Sequence, residues 1–170
     1  MMKKLLLIVL LALPMGIFAQ NLKFGHLRSS EIIPLMAEYT KAQTDLQGYF
    51  KNYQDELKKL EDEFNKKVTE FQNEEKTLPE NIKNRRQQEL QDMATRAQEF
   101  QTTSEQDMQK KQQELMAPIL QKANDAITAV GQEQGFTYIF DLDSTPIPYV
   151  NETTSTDVTA AVKAKLGITQ

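Results

Sequence analysis

The chain has 170 residues, of which 26% are charged, and its formal net charge is −4 at pH 7. It contains no cysteine and one histidine, which excludes a disulfide framework, a thiol nucleophile and a metal site built from paired histidines. The acidic balance argues against a nucleic-acid-binding protein, because such proteins present a net basic face. The sequence therefore predicts no cofactor and no metal site, and it gives an enzyme little support.

Residues 1–19 resemble a cleavable secretory signal peptide. Lys3 and Lys4 form a basic start, residues 5–18 are an apolar run, and Ala19 offers a small residue for cleavage before Gln20. The apolar run is too short for a membrane-spanning helix, which needs roughly 20 residues, although a retained N-terminal anchor is the alternative. We expect an exported mature chain that starts at Gln20 and, without the two lysines, has a net charge of −6.

The mature chain begins with a predicted strand and continues into long helices. Residues 22–27 alternate between apolar and other side chains, as a half-buried strand does. No glycine lies between Gly48 and Gly131, and the only prolines in that interval are Pro79 and Pro118, so we predict long helices there. Because proline disfavours helix at the preceding residue and suits the first turn of a new helix, Pro79 predicts a turn. Residues 38–117 would then form an antiparallel helical hairpin, the arm, with its tip near 77–81; one kinked helix is the alternative.

The two halves of the arm differ in the strength of their apolar seams. In the outgoing half, apolar residues recur three and four positions apart, with one extra four-residue step before Val68. These residues are Leu46, Phe50, Tyr53, Leu57, Leu60, Phe64, Val68 and Phe71. In the returning half, Ser104 and Lys111 interrupt the apolar face and glutamine is abundant. The prediction is a coiled-coil-like arm whose seam is thin and opens easily.

The C-terminal part predicts more strands and a short helix. Residues 136–140 are rich in aromatic and β-branched side chains, and we expect them to pair with residues 146–150 as a β-hairpin. Thr154 and Asp157 fit a capping box for a final helix that ends at Gly167. Residues 20–37 and 118–170 would together form a small body that buries little core and leaves strand edges open. The fold class is therefore mainly α with a small β body, and copies are expected to associate through that body while the arms project outward.

In order along the chain, these features resemble the Skp/OmpH family of periplasmic chaperones for outer-membrane proteins. The resemblance rests on the strand of residues 23–27 running into a helix at residues 30–33, the charged helical hairpin, the joint at Pro118, and residues 135–141 followed by a capped helix. It implies a homotrimer whose strands form the body and whose three arms surround a cavity. It also implies an ATP-independent holdase that keeps unfolded outer-membrane proteins from aggregating in the periplasm.

The resemblance and the side-chain pattern together give candidate functional residues. Candidate client-binding residues, apolar and located on the arm, are Phe71, Leu78, Ile82, Met93, Phe100, Met108 and Met116. Candidate body residues for oligomerisation are Leu22, Phe24, Phe136, Tyr138 and Phe140. Pro118 is the predicted hinge between arm and body.

The charge distribution of this chain differs from that of the family it resembles. The mature chain is acidic, whereas well-studied family members are strongly basic. A basic tip cluster of Lys83, Arg85 and Arg86 would suit a peripheral contact with anionic lipid or with a client, but a solvated charged helix face is the favoured explanation. A structural or adaptor protein of the cell envelope, with its arm packed against fixed partners, is the alternative function.

Overall fold

The computed structural model describes residues 22–168. Its elements in chain order are strand β1 (Phe24–Leu27), two 3-10 turns (Ser29–Glu31 and Ile33–Leu35), helix α1 (Ala37–Glu74), helix α2 (Glu80–Gln134), strand β2 (Tyr138–Asp141), strand β3 (Ser155–Asp157) and helix α3 (Thr159–Lys165). The fold is mainly helical with a small three-stranded sheet, as predicted. The predicted signal peptide lies outside the described residues. Within 22–168, no helix combines the length and the hydropathy that crossing a bilayer requires.

The two long helices form the predicted antiparallel hairpin, and the alternative of one kinked helix is wrong. The chain reverses between Glu74 and Glu80, and Pro79 precedes the first residue of α2 with φ −61° and an extended ψ of 149°. Its carbonyl oxygen accepts the first helical hydrogen bonds, from the N–H groups of Ile82 and Lys83. Proline suits this place because its missing N–H would have had no helical partner.

The sheet differs from the predicted β-hairpin. β1 is the central strand and pairs in parallel with β2 on one side and with β3 on the other, so that Phe24 lies opposite both Tyr138 and Ser155. Residues 146–150, predicted as a strand, are irregular. Pro146 and Pro148 lack the N–H groups that a ladder needs. Residues 142–154 instead form a crossover that connects β2 to β3, two strands that run in the same direction on either side of β1.

The body has one buried core beneath the sheet. Leu27, Ile32, Val158 and Val162 are at most 1% exposed, and they pack with buried residues of α2 and with α3. Gly25 permits this close packing, because a Cβ at that position would lie 3.1 Å from Cγ1 of Ile139. A second buried cluster, of Met36, Ala42, Ile119 and Ala123, joins the root of the arm to the body.

The predicted starts of two helices are wrong, whereas α2 and α3 each end just before a glycine. The chain does not pass directly from β1 into a long helix at residue 30, because two short 3-10 turns intervene and α1 begins at Ala37. The capping box at Thr154 is also wrong: α3 begins at Thr159, whose N–H donates to Oδ1 of Asp157 at 2.8 Å. Gly135 and Gly167, with φ of 69° and 73°, follow the ends of α2 and α3 in the left-handed conformation that glycine adopts easily.

Candidate functional site: the arm and the outer sheet face

The seam of the arm is only partly buried along most of its length. Among the apolar seam residues of α1, Phe71 is buried, whereas Leu46, Tyr53, Leu57, Leu60, Phe64 and Val68 are half-buried. Phe50 is exposed over 53% of its surface, although it occupies a seam position. Two helices that meet along so few large side chains gain little packing energy per turn, at about 1.5–3 kcal/mol for each large apolar side chain fully buried.

A groove of 610 Å³ lies between the helices halfway along the arm, and we refer to it as the mid-arm groove. Its lining residues are Phe50, Tyr53, Gln54, Leu57, Phe100, Gln101, Ser104, Glu105, Met108 and Gln109. Ser104 is the cause of the space, because it holds a seam position of α2 where a large apolar side chain would fill the gap. The ring of Tyr53 meets that of Phe100 edge to face, with centroids 6.1 Å apart.

Next to this groove, the side of α1 that carries Tyr49 is polar. Tyr49 lies about 100° around α1 from Phe50, and the ammonium group of Lys111 sits 5.0 Å from the centroid of its ring. Tyr53 lines the groove at the border of this polar side, and partial burial and then the neighbouring carboxylate of Asp107 raise the pKa of its hydroxyl above the usual value. This side of the arm offers charged and hydroxyl groups in place of an apolar surface.

The remaining arm surface carries ion pairs of both signs. Lysine and aspartate pairs spaced four residues apart follow the outside of α1: Lys41 with Asp45, Lys51 with Asp55, and Lys58 with Asp62. Between the two helices, Nζ of Lys67 lies 3.1 Å from Oε1 of Glu89. Exposed pairs of this kind contribute only about 0.3–0.5 kcal/mol each, so they keep the surface soluble more than they hold the helices together.

At the tip, acidic residues neutralise part of the predicted basic cluster. Arg86 pairs with Glu74 at 3.4 Å, and Lys83 lies 3.8 Å from the carboxylate of Glu80. Arg85 is exposed. The positive potential of the tip is therefore weaker than the three basic side chains alone would give.

The structure separates the seven candidate client-binding residues into different environments. Phe100 and Met108 line the mid-arm groove. Leu78 and Ile82 are half-buried at the tip, Met93 is half-buried in the seam, Phe71 is buried, and Met116 packs on the cluster at the arm root. The sequence placed Phe50, Tyr53 and Leu57 in the seam and favoured seam packing over client contact for the two aromatic residues. The signal for their second environment was Ser104, which interrupts the facing helix.

One face of the sheet points away from the core, and we name it the outer sheet face. Phe24 stacks on Tyr138 with ring centroids 6.3 Å apart, and Tyr138 stacks on Phe140 at 6.0 Å. Tyr138 and Phe140 are exposed, as is Leu22 nearby. Phe136 differs from the other candidate body residues, because it packs against the core beneath the sheet.

Residues 142–154 pass over part of the outer sheet face. They border an open cavity of 280 Å³ between Ile147 and Tyr149 on the crossover and Phe24, His26 and Phe140 on the sheet. Nδ1 of His26 lies 2.8 Å from Oγ of Ser155 on the neighbouring strand. The phenol ring of Tyr149 remains exposed over 76% of its surface.

Pro118 lies inside α2, which continues through it without ending. It borders a second groove, at the arm root, together with Ala42, Leu115 and Ile119. An ion pair between Lys122 and Glu38 bridges the two helices there.

Two aspartates at the end of β2, Asp141 as its last residue and Asp143 just after it, serve as local hydrogen-bond acceptors. Oδ1 of Asp141 accepts from the N–H of Ser29 at 3.1 Å, and Oδ2 of Asp143 accepts from the N–H of Ser30 at 2.7 Å. Although partial burial raises the pKa of Asp141, hydrogen bonds from Ser144 and Ser29 lower it overall. These carboxylates tie the start of the first 3-10 turn to the sheet, and no group of three or more metal-ligating side chains occurs within residues 22–168.

The comparisons with known proteins agree with this architecture. Comparison with curated proteins found no match in sequence. The chain is similar in structure to an OmpH-like protein from Caulobacter crescentus CB15 that has been proposed to be an outer membrane chaperone, with a TM-score of 0.72 over 85% of this chain and 83% of that one. The two sequences are 17% identical, so this similarity establishes the fold. The family model described as outer membrane protein (OmpH-like) matches residues 23–166, and the chain therefore belongs to the OmpH-like family.

Proposed function

We propose that this protein is an ATP-independent holdase chaperone of the periplasm, which binds unfolded outer-membrane proteins between its arms and prevents their aggregation. Membership of the OmpH-like family and the similarity to a proposed outer membrane chaperone support the class of function. The single observation that carries the proposal is the long arm with an incompletely filled seam. Such an arm offers apolar surface to a client without a pocket shaped for one particular sequence.

The dimensions of the arm support a role that involves a large partner. The part of α2 that belongs to the arm, residues 80–117, spans roughly 57 Å at 1.5 Å per residue, far more than the small body can cover. Several arms that start from one body would enclose a space wide enough for an unfolded chain. The acidic surface would favour clients held by apolar contacts over clients held by long-range attraction to a basic cavity.

We further propose that the body associates as a homotrimer through its sheet. The outer sheet face exposes Tyr138 and Phe140, and in the described chain β2 and β3 each have one side without a strand neighbour. Exposed aromatic side chains next to open strand edges favour association, because copies can bury the rings and complete the hydrogen-bond ladders. Sedimentation of residues 20–170 tests this proposal: a trimer is expected, and a stable monomer would contradict it.

An aggregation assay tests the chaperone function. An unfolded β-barrel protein is diluted from urea into buffer with residues 20–170 of this chain, and light scattering is followed over time. We expect scattering to fall to a small fraction at a severalfold molar excess of the trimer. Full aggregation at that excess would contradict the holdase, and a rigid complex of fixed stoichiometry with one folded envelope protein would favour the adaptor alternative.

A further inference from the structure

We infer that the mid-arm groove is a client-binding site, which receives the large apolar side chains of an extended segment of unfolded outer-membrane protein while its glutamine rim binds the neighbouring backbone. This inference rests on the proposed holdase function and assigns that function a place on the arm. Of the seven apolar residues predicted as client contacts, only Phe100 and Met108 belong to the groove.

The floor of the groove is apolar and incompletely covered within a single chain. Phe50 keeps 53% of its surface exposed, and Leu57, Phe100 and Met108 are half-buried around the same space. The volume of 610 Å³ falls within the range of about 300–1,000 Å³ that is typical of protein ligand sites. A client side chain that enters this space would remove apolar surface of both partners from water.

Ser104 adds an independent sign that the groove takes a ligand. Its residue is only 9% exposed, and its Oγ atom is buried with no hydrogen-bond partner in the described structure. A buried hydroxyl without a partner is unfavourable, whereas a leucine at this seam position would be both apolar and large enough to fill the gap. When the helices separate slightly around a guest, this hydroxyl becomes available to a peptide carbonyl oxygen.

The rim of the groove matches the chemistry of an unfolded backbone. Three glutamines, Gln54, Gln101 and Gln109, border the apolar floor together with the single carboxylate of Glu105. Each glutamine amide both donates and accepts, which is what peptide groups without secondary structure require. An acyl chain would use none of these amides, and a lipid phosphate would be repelled by Glu105, so the rim favours a polypeptide.

The sequence pattern of the clients fits the size of the site. Strands of outer-membrane β-barrels alternate between apolar and polar residues. In an extended segment, apolar side chains therefore point to the same side about 7 Å apart. Such a segment can place one apolar side chain after another in the groove, so the chaperone holds many different strands without reading a specific sequence.

Two neighbouring aromatic residues provide a matched test. Phe50 lies in the groove, whereas Tyr49 lies outside it and is 40% exposed. We expect Phe50→Ala to weaken the binding of a fluorescent, unfolded β-barrel protein by about tenfold, and Tyr49→Ala to change it less than twofold. Equal losses in the two variants, or no loss in either, would overturn the assignment.

Ser104→Leu tests the same site without removing a side chain from the seam. We expect it to raise the thermal midpoint of the arm and to weaken client binding, because leucine fills the groove from within. Circular dichroism and sedimentation confirm that each variant keeps its helix content and its oligomeric state. If Phe50→Ala instead changes the oligomeric state, the groove holds another copy of this chain and the inference is wrong.

A fluorescent reporter locates the client directly, since the chain has no cysteine of its own. A dye on Gln101→Cys, at the groove rim, should shift strongly to the blue when client binds. The same dye on the exposed Gln106→Cys, on the opposite side of α2, should respond weakly. If the unmodified chain binds no client, the proposed function itself fails; if it binds client while both dyes respond alike, only the groove assignment fails.

Discussion

The body and the arm of this chain bury their side chains to very different degrees. In the body, Leu27 and Val162 have lost at least 99% of their surface to packing, and four structural elements contribute to one core. In the arm beyond its root, Phe71 and Ser104, each 9% exposed, are the only buried residues over more than fifty described positions of the two helices. A chain that is closely packed in the body and loosely packed along the arm can keep a fixed structure in the body while the arm adapts to a partner.

The largest effect should come from truncating the body core. Leu27→Ala removes a buried side chain from the central strand, and we expect it to lower the free energy of unfolding by about 3 kcal/mol. Leu60→Ala, the matched change in the half-buried arm seam, should cost about 1 kcal/mol. Urea unfolding followed by circular dichroism, at one protein concentration, measures both values. Equal costs would show that the arm is packed as firmly as the body.

The next effect concerns the joint between the two regions. Pro118→Ala restores a backbone N–H inside α2, and we expect the helix to gain about 1–3 kcal/mol because proline is unfavourable there. If Pro118 is the hinge, the variant should keep its oligomeric state and narrow the distribution of arm positions in small-angle scattering. A scattering profile that matches the unmodified protein would place the hinge elsewhere.

A smaller effect tests the cap of α3 in the body. Partial burial raises the pKa of Asp157, but hydrogen bonds from Thr159 lower it below its usual value near 3.8. Its contribution to stability is therefore fully present above that value and is lost as the pH falls through the lowered pKa. Asp157→Ala should cost about 1 kcal/mol at pH 7 and progressively less toward pH 3, as urea unfolding at several pH values would measure.

Asp157→Asn provides the control for the cap, because asparagine keeps a side-chain oxygen acceptor but has no ionisable group. It should keep most of the stability at pH 7 and show a weaker pH dependence than the unmodified chain. A loss that is equally large at pH 3 and pH 7 in Asp157→Ala would mean that packing, not the carboxylate, accounts for the effect.

The smallest effect is expected at the tip of the arm. Arg85 has no ion-pair partner among the described residues, whereas Lys83 and Arg86 each lie near a carboxylate. If the tip contacts anionic lipid, Arg85→Glu should reduce co-sedimentation with phosphatidylglycerol vesicles at low salt by a few fold, since each basic residue contributes about 1 kcal/mol near such a surface. No binding by the unmodified chain would contradict the lipid contact.

The sequence was sufficient where local chemistry decides the structure. The absence of glycine between residues 48 and 131 and the position of Pro79 together predict the hairpin and its turn, and Gly167 marks the end of the last helix. Sequence reasoning failed where a segment far away in the chain decides the structure. Residues 155–157 are polar and show no apolar alternation, yet they form a strand because they pair with β1. In the crossover, Ile147, Tyr149 and Val150 favoured a strand that the chain does not form.

The mid-arm groove could be predicted only in part for the same reason. The position of Ser104 on the apolar face of α2 was evident, but its consequence depends on which residues of α1 lie across from it. That register is set by the length of the turn at the tip and by the packing at the root, neither of which a helical periodicity contains. The sequence therefore indicated a weak seam without indicating that Phe50, Tyr53 and Leu57 border an open space.

The central place of β1 in the sheet has a consequence for how the chain folds. Both partners of this strand lie more than a hundred residues further along the polypeptide, so Phe24 cannot meet Tyr138 until most of the chain has been synthesised. In the hairpin, residues that are in contact near the turn are close together in the sequence. The hairpin can therefore form first, starting at the turn. By bringing the two ends of the polypeptide together, it shortens the effective loop that the sheet must close. The arm thus also acts as a folding template for the body from which it projects.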